Sequence, residues 1–177
     1  MTTRLVYCMD ASSLIESRCA YAHDVFPGVW KQIDALVAEE RMIAPYEVLE
    51  ELKRQDDQRL WKGDRKKIFC RLDQEQTRKV GEIVARFPRL IDPTKETPDA
   101  DPFVIALALA RKEDTTQDNL YENRQYVVVS QETPSGPGGK PKIPNVCQAY
   151  GLECVALVEL FRREGWTFVL SEKPRTG

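Results

Sequence analysis

The side chains best able to do chemistry in this chain are carboxylates set against apolar runs. Asp10 directly follows Leu5-Val6-Tyr7-Cys8-Met9, and Asp99 and Asp101 stand just before Phe103-Val104-Ile105-Ala106-Leu107-Ala108-Leu109-Ala110. Glu47, Glu50 and Glu51 share a short segment with Val48, Leu49 and Leu52, and Ser130 and Glu132 follow Tyr126-Val127-Val128-Val129. His23 is the only histidine, which removes His-rich zinc sites and HExxH proteases from consideration. Any metal site must therefore be built mainly from oxygen ligands. The five cysteines are odd in number and form no CxxC pair, so neither a disulfide framework nor a zinc ribbon is indicated, and a reducing cytoplasm is the expected compartment.

The elements that position these groups can be read from periodicity. Leu5 to Met9 is an unbroken apolar run suited to a buried parallel strand, which puts Asp10 at its carboxyl end. Ala11-Ser12-Ser13-Leu14 turns into a helix, and Phe26-Pro27-Gly28 breaks the chain before a second helix carrying Val29, Ile33, Leu36 and Val37. Met42-Ile43-Ala44 reads as a short strand, and Pro45 is placed to open a helix whose apolar stripe is Val48, Leu49 and Leu52. A charged, helical middle spans about residues 60–90, with Ile68, Phe69, Leu72, Val80, Ile83, Val84 and Phe87 on buried sides. Asp101-Pro102 opens the next helix, with Asp101 as its N-cap. Tyr126 to Val129 and Cys154-Val155-Ala156 are later strands, and Leu157 to Glu164 is a closing helix. The expectation is one α/β domain over residues 1–177 with a mostly parallel sheet flanked by helices, interrupted by a Gly/Pro-rich loop at 133–142. In such folds, sites form beyond the carboxyl ends of the strands, where Asp10 and Ser130 fall.

Four segments carry a resemblance to the PIN-domain nucleases, and in particular to a larger branch of VapC-like toxins. Val6-Tyr7-Cys8-Met9-Asp10-Ala11-Ser12-Ser13 is similar to the family's first strand, its metal-binding Asp and the small polar residue two positions later. Ile43-Ala44-Pro45-Tyr46-Glu47-Val48-Leu49-Glu50-Glu51-Leu52 places Glu51 at the acidic helix position. Asp99-Ala100-Asp101-Pro102-Phe103-Val104-Ile105-Ala106 places Asp101 at the start of the alanine-rich helix. Val127-Val128-Val129-Ser130-Gln131-Glu132 resembles the segment that completes the site, with Glu132 where Asp is more usual.

The resemblance implies an endoribonuclease in which Mg²⁺ or Mn²⁺ is held by Asp10, Glu51, Asp101 and Glu132, supported by Ser12, Glu47, Asp99 and Ser130. Hard cations suit such oxygen donors and supply charge and an activated water for phosphodiester hydrolysis. It further implies a toxin paired with a small antitoxin protein, and association as a homodimer. Each residue also has a plainer meaning: Asp10 as a turn or cap, Glu51 as one of several solvated glutamates, Ser130 and Glu132 as a polar strand end. Lys53, Arg54, Lys62, Arg65 and Lys66 form a basic stretch able to follow an RNA backbone, although a solvated helix face has the same composition. Two alternatives stand beside the nuclease: a catalytically weak PIN-like module that binds RNA or protein, and an aspartyl-phosphate phosphatase. The latter lacks a second Asp two residues after Asp10 and has its acidic segment before Ser130 instead of after it. With a formal net charge of −2 and no apolar run near the ~20 residues of a membrane span, no membrane association is expected.

Overall fold

A computed structural model describes residues 3–55, 58–95, 99–114 and 123–169. The chain enters on β1 (Arg4–Met9), passes through α1 (Ala11–Ala20) and α2 (Pro27–Ala38), and returns on β2 (Met42–Pro45). Helix α3 (Tyr46–Arg54) follows directly, then a 3₁₀ segment (Gly63–Ile68), the two-residue strand β3 (Phe69–Cys70) and α4 (Gln74–Arg86). A second 3₁₀ turn (Pro88–Leu90) precedes α5 (Asp101–Glu113), β4 (Arg124–Val129), α6 (Ile143–Ala149), β5 (Glu153–Val155) and α7 (Leu157–Arg163).

All five strands are parallel, in the order β3-β2-β1-β4-β5. This is the expected α/β class, a parallel sheet flanked by helices. The chain lays strands outward from β1 in one direction, then restarts on its other side with β4. The β1–β4 junction is therefore the topological switch point, where two crossovers diverge and leave a crevice. Register sets Met9 beside Val129, so the next residues, Asp10 and Ser130, emerge together.

Burial explains the apolar character of the central elements. Val6 to Met9 and Val127 to Val129 are at most 1% exposed, as strands covered on both faces require. Helix α5 packs on α4, α6 and the sheet, so Val104 to Ala110 are all buried. On α4, Asp73 Oδ1 accepts the Gln76 N–H at 2.8 Å and Gln76 Oε1 accepts the Asp73 N–H at 3.4 Å, a capping box. Behind β1, Tyr7 donates its hydroxyl proton to Glu164 at 2.7 Å while Arg41 pairs with the same carboxylate, so the end of α7 is tied to β1 and β2.

Three local expectations are corrected. Strand β3 interrupts the helical middle, because Ala44 and Pro45 offer backbone partners to Phe69 and Cys70; two residues are too few for alternation to reveal. Leu72 is 38% exposed instead of buried, since it lies in the connection after β3. Asp101 is the first residue of α5 and not its N-cap; Ala100 holds that position, without a side-chain cap.

Arg65 belongs to the packing. Its Nε and Nη2 reach Asp34 at 2.5 and 2.9 Å, its Nη1 reaches the Leu60 carbonyl at 2.9 Å, and its guanidinium lies 4.7 Å from the Trp30 ring centre. Trp30 is 1% exposed, contacts Trp61 and donates its indole N–H to the Tyr21 carbonyl at 2.7 Å. Trp30→Ala should therefore lower unfolding free energy by about 3–5 kcal/mol. Urea denaturation followed by circular dichroism tests this, and a loss under about 1 kcal/mol would show that Trp30 does not anchor the core.

Candidate functional site

Asp10 joins strand to helix. Its backbone is extended, its N–H still donates to the Val129 carbonyl at 2.9 Å, and its carbonyl accepts the Ser13 hydroxyl at 2.7 Å. The side chain caps α1: Oδ1 accepts the Ala11 N–H at 2.7 Å, and Oδ2 accepts the hydroxyls of Ser12 at 2.6 Å and Ser130 at 3.0 Å. The two serines pass the network on, Ser12 Oγ accepting the Gln131 N–H at 3.0 Å and Ser130 Oγ the Glu132 N–H at 3.2 Å. At 4% exposure the carboxylate is desolvated, and burial pushes its pKa up despite the hydrogen bonds that stabilise its charge.

The other acids converge electrostatically on this point. Burial and then the charge of Asp10 raise the Glu51 carboxyl, partly offset by Arg54 and Lys95. Asp101 is pushed up to about 7, first by burial and then by the charges of Asp10, Glu132, Asp99 and Glu51. Those five carboxylates therefore share one region. Glu50 does not; it points outward and pairs with Lys53 at 2.6 Å. The register of α3 explains the split, because Val48, Leu49 and Leu52 face the core and leave Glu51 on the side where the charges of Asp10 and Asp99 act on it. Glu47, one turn earlier, keeps one carboxylate oxygen buried without a hydrogen-bond partner.

Asp99 and Glu132 have additional structural tasks. Asp99 accepts the Asp92 N–H at 2.9 Å and pairs with Lys95; although burial pushes its carboxyl up, these bonds hold it below the ordinary range. Glu132 Oε2 accepts the Ile143 N–H at 2.9 Å at the start of α6, and Gln131 Oε1 accepts the Leu157 N–H at 2.8 Å at the start of α7. These two long-range caps have no sequence signal, because each capping side chain lies more than ten positions from the helix it serves. Asn145 was equally invisible: it pins the Gly/Pro-rich loop by accepting the Ser135 N–H at 2.9 Å and donating to the Ser135 carbonyl at 3.0 Å.

The donor chemistry suits a hard divalent cation, since the carboxylates are oxygen donors whose charges raise one another's pKa. Among the described residues, however, no three acidic, cysteine or histidine side chains meet tightly enough to hold an ion as they stand. Side-chain movement toward a common point is needed. A cavity of about 970 Å³ lies elsewhere, toward the amino ends of the strands, and is lined by none of these acids. Lys62 and Arg65 border it, so part of the basic stretch faces away from the carboxylates. Lys53 is paired with Glu50, and Arg54 is the member whose charge reaches Glu51. Lys66 is exposed on the 3₁₀ segment beside Arg65.

The raised Asp101 pKa has a defined consequence for stability. Its carboxyl titrates near 3.8 in an unfolded chain and near 7 in the fold, so the native state binds the extra proton between these values. The contribution is full below the unfolded value and is lost as pH rises through the folded one. In EDTA, stability should fall between about pH 4 and pH 7, and Asp101→Asn should flatten that slope. Urea midpoints of both proteins across this range test the assignment, and identical slopes would refute it.

No curated protein matches the chain. A family model described as a domain of unknown function, DUF4411, matches residues 7–168, nearly its whole length, and the chain therefore belongs to the DUF4411 family.

Proposed function

We propose that this protein is a divalent-metal-dependent endoribonuclease. The observation that supports this most is the electrostatic convergence of Asp10, Glu51, Asp101 and Glu132 at the β1–β4 switch point. Asp10, Glu51 and Asp101 are the primary ligands in this reading. Glu132 contributes the oxygen not used at Ile143, and Ser12 and Ser130 hold Asp10 in place. A bound Mg²⁺ or Mn²⁺ would supply a water of lowered pKa and positive charge for a phosphate oxygen. The protein's own part is to keep Asp10 rigid and dry, to present Glu51 from α3, and to hold a proton on Asp101 that must leave as negative charge is neutralised. Resemblance to VapC-like proteins extends the proposal to a toxin restrained by a small antitoxin, with association as a homodimer and a cytoplasmic setting. No described helix is long and apolar enough to cross a membrane.

One observation favours a second reading. The acids do not close on a common point among the described residues, as expected of a PIN-like module that binds RNA or protein without turnover. Catalysis separates the two. Purified protein should cleave RNA with Mg²⁺ or Mn²⁺ and stop with EDTA; Asp10→Asn, which keeps an N-capping residue, should lose activity by on the order of a hundredfold or more. Glu51→Gln should lose far more than Glu50→Gln, because Glu51 lies within reach of the Asp10 charge while Glu50 pairs with Lys53. Cleavage that survives full chelation would end the metal reading, while absent cleavage with retained RNA binding would select the binding module. Expression of the wild type, but not of Asp10→Asn, should arrest growth if the protein is a toxin; equal arrest by both would exclude toxicity through cleavage.

A further inference from the structure

The Gly/Pro-rich loop is not an isolated excursion. It starts at Glu132 in the acidic site and returns at Lys142, with Asn145 clamping Ser135 midway. Gly138 adopts φ +76°, a conformation that suits glycine, and its carbonyl accepts a hydrogen bond from Arg89 Nη1 at 3.4 Å. This contact brings the loop against the segment after α4. Between them lies an open groove of about 390 Å³, lined by Pro88, Arg89, Ile91, Asp92, Pro93 and Lys140. That volume is within the range of about 300–1,000 Å³ for small-molecule sites.

The chain connects both walls of the groove to the carboxylates. On one side the loop begins with Glu132; on the other, Asp92 is bonded to Asp99, two residues before Asp101. Its own acids are already satisfied, Asp92 accepting from the Thr94 N–H at 3.0 Å and hydroxyl at 2.7 Å, and Asp99 pairing with Lys95. Its cations are less fully engaged: among the described residues neither Arg89 nor Lys140 forms a close ion pair, Arg89 donating only to the Gly138 carbonyl and Lys140 acting on Asp92 and Asp99 at longer range. Both cations are exposed, and the floor between them presents two exposed prolines and the half-buried Ile91. Cations at the rim suit phosphates, and an apolar floor suits the faces of unpaired bases or riboses, which a duplex keeps stacked inside.

We propose that this groove, held open by the Arg89–Gly138 contact, binds the backbone of single-stranded RNA and leads it to the acidic site, with Arg89 and Lys140 each meeting a phosphate. The direction of the strand into the carboxylates rests on the nuclease reading; the binding itself does not. Lys62 and Lys66, in the basic stretch before β3, take no part in it.

Fluorescence anisotropy of a fluorescein-labelled oligouridylate, measured in EDTA so that metal-dependent cleavage is blocked, tests the groove. Arg89→Ala with Lys140→Ala should weaken binding on the order of tenfold and reduce the log–log salt dependence by about 1.4, the loss of two phosphate contacts on a single strand. Lys31→Ala with Lys112→Ala, two exposed cations outside the groove, should bind as wild type does. Absence of wild-type binding, unchanged binding by the groove variant, or the same loss in the Lys31/Lys112 variant overturns the proposal. A parallel cleavage assay with Mg²⁺ keeps the two readings apart: groove-dependent binding without cleavage removes the nuclease and keeps the groove, whereas cleavage with groove-independent binding does the reverse.

Discussion

Burying an aspartate at the seam between two parallel strands carries a desolvation penalty that the surrounding chain must offset. Asp10 meets it with the Ala11 N–H and the hydroxyls of Ser12 and Ser130. The offset has a geometric consequence. Both serines must sit within about 3 Å of one carboxylate, which requires β1 and β4 to end in register and α1 to start immediately. Each serine then accepts a backbone N–H from the segment after β4, so the direction in which that segment leaves the sheet is set as well. Gln131 and Glu132, aimed by this arrangement, cap α7 and α6. Helix α6, which packs on α5, and helix α7, which packs on α1, are thus both oriented through the same few atoms that form the candidate site.

The site is therefore rigid at Asp10. Glu51 and Asp101 come from helices whose apolar faces are buried, and both side chains are themselves only partly exposed. Burial first, and then the charges of the neighbouring carboxylates, raises both pKa values, and no closed ligand set forms among the described residues. Neutralising charge is what such a cluster lacks. Bound protons would supply it at low pH and the proposed divalent cation at higher pH.

Much of this arrangement was legible in the residues themselves. Unbroken apolar runs at Leu5 to Met9, Tyr126 to Val129 and Phe103 to Ala110 are what a strand or helix covered on several sides requires, so the parallel sheet and the buried α5 followed from composition and length alone. Asp10 and Ser130 were also readable as strand ends. Separating Glu51 from Glu50 required the family resemblance, and the structure supplies the physical reason: Val48, Leu49 and Leu52 face inward, which leaves Glu50 to pair with Lys53 and Glu51 within reach of the Asp10 charge.

What tertiary structure alone decided concerns residues distant in the chain. Strand β3 exists because Ala44 and Pro45 had unpaired backbone groups to offer, and nothing in Phe69-Cys70 announces that. Asp101 reads as a helix cap from its Pro neighbour, yet the helix begins one residue earlier and leaves its carboxylate to the acidic cluster. Arg65 reads as part of a basic surface, but Asp34 and Trp30 claim it for packing. Local pattern determines what a segment of this protein can become, because propensity and periodicity act over a few residues. Which polar groups meet is determined only when the sheet order brings strand ends and loops together, because desolvation and charge act through space and not along the chain.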